Sequence, residues 1–386
     1  MKNVKIAAVA ALLGSTAMTA HGAGLERSGQ PVGVLFQEGN YAELSFGTLR
    51  PQVEGEDLFG NEISDSLDSF NSFGFAYKHQ FNPAWSMALI YDQPFGGNTE
   101  YGGTNAFISA VDGSPTYVDA QAQSLTAIVR YKTPDNFSIY GGLVAEEIEG
   151  NVDLRGPLYG SVGLDGYEVD FDGDWGYGFI LGTSWEKPEI AARVALTYRS
   201  EIDHDSDTTE TFYGLDLLTV NPALAALGID GNSETELNTP QSLTLDFQTG
   251  IAAQTLLFGS IRWVEWSEYK IAPQLLALND AALLSYDDDQ WTYTLGVGRQ
   301  FTEQFAGSVS VTHETSTDEY VSTLGPVDGF TSINFGGRYT MNNIDYSLGV
   351  RYIMFGDAES SIQQNKVGEF EDNHAWAVGG KIGMRF

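Results

Sequence analysis

The sequence predicts an all-β fold, a transmembrane antiparallel β-barrel of about 14 strands. Three observations predict it. Strand-like runs of roughly ten to thirteen residues recur along the chain, a length that suits a tilted crossing of a bilayer. Within each run, apolar residues alternate with small or charged ones, and the connections between runs alternate between short and long. Because side chains of a strand alternate faces, each run has one apolar and one polar face.

The last run, Asn373 to Phe386, shows the pattern most clearly. Trp376, Val378 and Ile382 fall on one face, while Lys381 falls on the other with small residues. The chain therefore ends on a strand whose apolar face suits lipid. Only a barrel closed on itself leaves such a strand without an unpaired edge in a membrane, so we expect this run to pair with the first one.

The earlier runs repeat the alternation. In the second, Phe73, Phe75 and Tyr77 share the outward face, and Ala76 and Lys78 point inward. The predicted strands before the last are 41–50, 69–80, 84–95, 120–132, 136–149, 174–186, 189–201, 240–250, 255–267, 290–301, 305–314, 329–340 and 344–356. An even number of strands places both chain ends on the side of the short turns. The loop 202–239 is expected to contain a short helix, as is the apolar run 271–284.

Composition excludes some classes of partner and chemistry. The formal net charge of −33 excludes nucleic acid as a natural partner, since nucleic acid requires a basic surface. The absence of cysteine excludes disulfides and thiol chemistry.

Residues 1–22, with Lys2 and Lys5 before an apolar core, are predicted to be a removed signal peptide; a retained membrane anchor is the alternative. Residues 23–40 are predicted to form a short N-terminal hatch, and 41–386 the barrel.

Three stretches carry a resemblance to a known family. Thr239 to Tyr269 contains a Pro-Gln-Ser-Leu strand, a short turn and a strand ending Trp-x-x-Trp-Ser-x-Tyr. Phe81 to Gly96 ends in Pro-Phe-Gly, and Gly24 to Gly47 approaches the first strand. In these stretches, and in its layout throughout the mature chain, the sequence resembles the FadL/TodX family of outer-membrane transport proteins.

The resemblance implies a monomeric barrel in the bacterial outer membrane for passive uptake of hydrophobic molecules, with long-chain fatty acids as the expected ligands. It also implies an N-terminal hatch that plugs the lumen, here with the apolar side chains Val32, Val34, Leu35 and Phe36. The hatch of the family carries an Asn-Pro-Ala motif that approaches a kink in the third strand. Here Gln37 to Asn40 stands near that place, and Asn82-Pro83-Ala84 falls in a turn instead. Phe386 resembles the terminal aromatic that barrel-assembly machinery recognises.

Two sets of residues are candidates for ligand contact. Exposed apolar loop residues commonly mark binding surfaces, although packing over the barrel mouth is an equal alternative; they are Leu217, Leu218, Leu224, Leu227, Leu275, Leu276 and Leu283. Inward arginines can clamp a carboxylate, although pairing with inward acids is the commoner role; they are Arg130, Arg193, Arg199, Arg338 and Arg351. Lys381 and Arg385 are expected to hold the hatch.

No catalytic residue, cofactor or metal site is predicted. Neighbours such as His313 and Glu314 face opposite ways in a strand, and no G-x-S-x-G turn is present. The acidic loops lack the spacing of a calcium loop. A general polar porin, an aromatic hydrocarbon channel of the same family and an adhesion protein remain as alternative functions.

Overall fold

The computed structural model describes residues 25–317 and 320–386, in which one antiparallel sheet closes into a barrel of 14 strands. The predicted signal peptide lies outside the described residues. The strands are β1 Tyr41–Gln52, β2 Phe70–Gln80, β3 Trp85–Asp92, β4 Tyr117–Lys132, β5 Phe137–Asp153, β6 Tyr167–Lys187, β7 Ala192–Arg199, β8 Ser242–Ala252, β9 Thr255–Val264, β10 Gln290–Gln300, β11 Phe305–Glu314, β12 Asp328–Met341, β13 Ile344–Gly356 and β14 His374–Arg385.

Each strand pairs with the next, and β14 closes the sheet against β1. The closing register runs from Tyr41 opposite Arg385 to Gln52 opposite His374. This pairing confirms the predicted closure and gives the last strand two partners, since β14 also pairs with β13. No strand edge is left at the seam, as a barrel in lipid requires.

The outer face of the barrel is apolar and the inner face is polar. Tyr177 is 76% exposed and Leu143 is 73% exposed, which is the accessibility expected of side chains that face lipid. Inward positions along the strands are mostly glycine, serine, threonine and charged residues, many of them buried, with a smaller set of apolar side chains such as Ile128 and Ile180. The alternation predicted from the sequence is therefore present, and the predicted fold class is confirmed.

The turns at one rim are tight and the connections at the other are long. The tight turns include 81–84, 133–136 and 342–343, and the 3₁₀ helix Pro188–Ile190 forms part of another. The other described elements are the helices Gly33–Phe36, Pro157–Gly160, Leu217–Val220, Pro222–Leu227, Trp266–Glu268 and Gln274–Ala277, and the short strands Gly55–Asp57, Glu62–Ser64, Gly96–Glu100, Gly102–Gly103, Ile202–Phe212, Leu215–Asp216, Asn232–Thr239, Lys270–Ile271, Leu284–Ser285, Val321–Ser322, Ala358–Ile362 and Asn365–Phe370. None of the helices in the described residues is long and apolar enough to cross a membrane.

Residues 202–239 were expected to form a long loop, but the structure shows a β-hairpin there. Ile202–Phe212 pairs with Asn232–Thr239 in a hairpin that continues β7 and β8 beyond the barrel. The short helices Leu217–Val220 and Pro222–Leu227 lie only at its tip.

β6 is also long, and its 21 residues extend about 70 Å, far beyond an apolar band of about 25 Å. One side of the barrel wall therefore rises well above the membrane.

The long loops pack together into a cap over the mouth. Its core contains the fully buried side chains of Ile63, Phe107, Tyr167 and Phe370, which come from loops and from the upper end of β6, far apart in the chain. A second sheet joins these loops, with Val321–Ser322 parallel to part of Ala358–Ile362. The barrel mouth is therefore covered by an apolar core.

We predict that the cap loosens in acid through Asp57. Burial raises the pKa of this carboxyl, but hydrogen bonds from Asn61, from the Ala106 amide at 2.8 Å and from the Phe59 amide at 2.8 Å outweigh burial and lower it. A carboxyl with a lowered folded pKa stabilises the fold above its unfolded pKa, and that stabilisation is lost as pH falls through the folded pKa.

Pepsin cleavage of loop 53–69 measures this effect. The ratio of the cleavage rate of Asp57→Asn protein to that of wild type should be several-fold at about pH 5, where only wild type has the charge. It should begin to fall near the pKa of an ordinary aspartate, about 3.9, and should approach one only below the lowered pKa of folded Asp57. A ratio that does not change with pH would contradict the role of Asp57.

Candidate functional site

The N-terminal segment, residues 25–40, runs inside the barrel against an interruption in β3. β3 ends at Asp92, and pairing with β4 resumes at Gly96, with one more residue on the β3 side than on β4. Pro94 lies in this bulge, and its carbonyl accepts the amides of Arg27 at 2.8 Å and Ser28 at 3.2 Å. The Gly96 amide donates to the Leu25 carbonyl at 2.8 Å. The segment therefore satisfies the backbone groups that the bulge frees.

The segment then turns through the 3₁₀ helix Gly33–Phe36 and packs on the inner wall. Val32, Val34 and Leu35 are buried against wall residues that include Ala88 and Ile128. Phe36 contacts Tyr140 edge to face. The structure thus places all four predicted hatch side chains within the lumen.

Cations of the wall hold the carbonyls of this segment. Arg130 donates to the Leu35 carbonyl at 2.9 Å, and Lys78 donates to the Gln37 carbonyl at 2.5 Å. Arg199 donates to the Gln30 carbonyl at 3.3 Å.

Three further arginines contact side chains of the segment. Arg262 forms a buried ion pair with Glu26, and Arg193 stacks over the Phe36 ring at 4.2 Å. Arg385 donates to the Gln37 amide oxygen at 3.2 Å. Lys381 forms an ion pair with Glu43 on β1 at 3.0 Å and lines the small space between the wall and the N-terminal segment.

A cavity of about 810 Å³ fills the lumen beside the N-terminal segment and reaches the short-turn rim. It includes all five arginines predicted as ligand contacts among its lining residues. Nine of the chain's 19 lysines and arginines line it, and only five acids do. The cations are Lys78, Arg130, Lys132, Arg193, Arg199, Arg262, Arg338, Arg351 and Arg385.

Wall residues engage several of these cations. Arg130 forms an ion pair with Glu186 at 3.1 Å, and Lys132 pairs with the same carboxylate. Arg351 donates to the Ser332 hydroxyl at 2.9 Å. Pairing with inward groups, the commoner role for a lumen cation, thus accounts for much of the lining.

The barrel wall is interrupted between β2 and β3. Their ladder extends only from Gln80 opposite Ser86 to Phe75 opposite Tyr91. Above it, residues 70–74 of β2 pair with β1 alone, and the Phe73 amide is satisfied by the Gln93 side chain at 2.9 Å. A small cavity of about 50 Å³ lies here, between the wall and the N-terminal segment. Because unpaired strand edges are not tolerated in lipid unless something covers them, this gap marks a specialised part of the wall.

An aromatic cluster lies under the cap on the far side of the bulge. Trp266 is 1% exposed and contacts Phe95, Tyr269 and Tyr286 edge to face, and Tyr269 and Tyr286 also contact each other. The 3₁₀ helix Trp266–Glu268 turns this tryptophan into the interior. A small pocket beside the cluster is lined almost entirely by apolar residues.

A family model described as outer membrane protein transport protein (OMPP1/FadL/TodX) matches residues 72–371 of the chain. The chain belongs to the OMPP1/FadL/TodX family. The predicted resemblance and the predicted location in the outer membrane are thereby confirmed. The protein is an outer-membrane transporter of hydrophobic compounds. No significant match was found among curated proteins.

Solved structures show the same fold. A Pseudomonas aeruginosa FadL homologue superposes with a TM-score of 0.71 at 14% identity, covering 92% of each chain. The Pseudomonas putida toluene transporter TodX gives 0.64 at 13% identity, covering 93% of each chain. The Ralstonia pickettii toluene transporter TbuX gives 0.62 at 14% identity, covering 96% of this chain and 97% of its own.

The OMPP1/FadL/TodX fold does not bring the seven predicted leucines into the lumen. Leu276 belongs to the cap core, Leu275 and Leu283 pack against that core, and Leu217 is buried at the tip of the extended hairpin. Leu218 and Leu224 are half-buried on the extended hairpin, and Leu227 is 63% exposed. The linings of the lumen cavity and of the two small pockets described above include none of these leucines. Leu275, Leu276 and Leu283 therefore serve cap packing, which was the alternative role.

The histidines of this OMPP1/FadL/TodX chain form a different pair from those considered in the sequence. His313 and Glu314 face opposite sides of β11, as the alternation requires. His204 points inward, with its Nε2 3.6 Å from the buried Glu146 carboxylate. Sequence reasoning missed this pair because 58 residues separate its members. Among the described residues, no three His, Asp or Glu side chains converge to form a metal site.

Proposed function

We propose that this OMPP1/FadL/TodX protein takes up long-chain fatty acids by passive diffusion and catalyses no reaction. The observation that supports a route for lipophiles is the interrupted wall between β2 and β3. It lies beside the N-terminal segment, so a ligand displaced from the lumen at this height meets a gap instead of a hydrogen-bonded ladder. The lumen below is polar, and an apolar ligand gains free energy by leaving sideways into lipid.

The choice of a fatty acid rests on the cations of the lumen. A carboxylate moving through a low-dielectric interior requires a positive partner, and arginine binds carboxylates in a bidentate manner. A hydrocarbon has no group for these arginines. The nine lining cations therefore favour a ligand with an acidic head over a purely apolar one.

An aromatic hydrocarbon is the second candidate substrate. The cluster around Trp266, with Phe95, Tyr269 and Tyr286, offers ring faces and edges to an aromatic ligand. A general polar porin is less well supported, because the cap core covers the mouth and the N-terminal segment occupies the lumen.

Uptake by intact cells tests the proposal. A strain lacking the chromosomal copy should lose most of its labelled-oleate uptake, roughly tenfold or more if this is the main route. A plasmid copy should restore it, and labelled toluene uptake should change little. Loss of toluene uptake alone would identify the hydrocarbon channel, and unchanged uptake of both compounds would contradict a lipophile transporter.

The proposal also covers the export and assembly of the protein. We propose that residues 1–22 are removed on export, that residues 23–40 act as the hatch, and that the barrel works as a monomer. Phe386 is exposed and stacks on Tyr77 at 6.2 Å, so the terminal ring lies at the outer surface, accessible to barrel-assembly machinery.

A further inference from the structure

We propose that Arg338 forms the centre of an oxyanion site in the lower lumen, a site that binds a carboxylate or phosphate group. Arg338 lies on β12 near the short-turn rim and lines the 810 Å³ cavity. It is 3% exposed, and its Nε and Nη1 atoms have no hydrogen-bond partner among the described residues. A buried guanidinium with unsatisfied N–H groups is costly, so such a group is expected to meet water or a ligand.

The neighbouring acid does not satisfy Arg338. Asp345 is a wall carboxylate that acts on it electrostatically. That carboxylate already forms an ion pair with Arg385 at 2.7 Å and accepts the Thr340 hydroxyl at 2.6 Å. Two arginines thus share one carboxylate, which leaves one positive charge at this part of the wall.

Arg338 also differs from the cations that hold the N-terminal segment. Arg130, Arg199 and Lys78 donate to carbonyls of that segment. Arg338 makes no hydrogen bond to the segment in the described part of the chain. Its guanidinium therefore remains available whether the segment is seated or displaced.

The surroundings of Arg338 suit an oxyanion. Its cross-strand partners are Ala306 on β11 and Ser347 on β13. The cavity lining adds the hydroxyl of Ser308, whereas the Thr340 hydroxyl donates to Asp345. A planar guanidinium fork with a hydroxyl donor in the same cavity suits carboxylate and phosphate groups. The cavity reaches the turns at the periplasmic rim, because Ala84, Ala191 and Glu303 line it. Small anions can therefore enter from the periplasm.

Two sources can supply the oxyanion. One is a free small anion from the periplasm. The other is the carboxylate of a fatty acid in transit, a case that rests on the proposed function. The chemistry at Arg338 is the same for both, and the ligands used in the test distinguish them.

Isothermal titration calorimetry on the full chain in detergent tests the site with three probes: inorganic phosphate, acetate and oleate. Arg338→Gln should weaken binding of at least one probe tenfold or more, and Arg338→Lys, which keeps the charge without the fork, should weaken it less. Arg299→Gln is the matched control, because Arg299 lies at the same rim but faces outward. Heat-modifiable migration on gels reports that each variant is folded.

Each outcome decides the proposal. Weakened phosphate or acetate binding supports a site for free oxyanions, and weakened oleate binding alone supports a subsite for the ligand's own carboxylate. Equal binding by wild type and Arg338→Gln for all three probes would overturn the site and would show that only water occupies it. An equal loss in Arg299→Gln would also overturn it. Oleate uptake by cells with the wild-type protein is measured separately, so failure at Arg338 leaves the transport proposal intact.

Discussion

Deletion of Pro94 should abolish most uptake of a hydrophobic ligand while leaving the barrel folded. Three residues, 93–95, stand between the paired Asp92 and Gly96, opposite only two residues of β4. Removing one residue equalises the two strands, so β3 can continue straight upward. Its upper half would then be able to pair with residues 70–74 of β2, which lack a partner on that side.

Two effects act together in this deletion. The lateral gap would close, and the Pro94 carbonyl that anchors Arg27 and Ser28 would be lost. We expect labelled-oleate uptake to fall at least tenfold, because a continuous hydrogen-bonded wall offers an apolar ligand no passage. Heat-modifiable migration should remain, since the other ladders are untouched. Normal uptake by a folded deletion protein would show that ligand leaves past the N-terminal segment toward the periplasm.

The second large effect is expected at Arg262. Arg262→Met removes the partner of the buried Glu26 and leaves an uncompensated charge, at a cost of about 3–5 kcal/mol. The contacts of Arg262 with Ser242 at 3.1 Å and Thr244 at 3.0 Å show that it holds the segment to the far wall. We expect the N-terminal segment to leave the lumen in this variant.

Single-channel recording in planar bilayers measures the release. Wild type should be nearly silent, and Arg262→Met should show steady ionic conductance. The double variant Glu26→Gln/Arg262→Met is the control, because replacing both members of a buried pair can be nearly neutral. It should be close to silent. If the single and double variants conduct equally, the unpaired charge of Glu26 is not what releases the N-terminal segment.

Much of the barrel could be predicted because lipid imposes one simple pattern. Alternation of apolar and polar residues determines which face of each strand is outward, and it correctly placed Lys78, Arg130 and Arg338 in the lumen. Closure followed from the same argument, since an unpaired edge in lipid is too costly.

The extended hairpin could not be predicted in this way. Along Ile202–Phe212 the buried positions include His204, Ser206 and Thr208, and the exposed ones are also polar. Both faces are polar above the membrane, so the apolar period that identifies a strand is missing. The packing of the predicted ligand leucines could not be predicted for a related reason. An apolar loop segment does not show which surface covers it, and Leu276 belongs to a core formed by distant loops.

The attachment of the N-terminal segment limits how far it can travel. The Asn40 side chain accepts the Gln80 amide at 2.9 Å, and the Asn40 carbonyl accepts the Phe386 amide at 3.2 Å, so the segment is pinned beside the barrel seam. Residues 25–40, fully extended, reach about 50 Å from that pin. A segment expelled from the lumen therefore returns intramolecularly, at an effective concentration on the order of millimolar. Resealing needs no second protein and no energy source, which suits a membrane that has no ATP on either side.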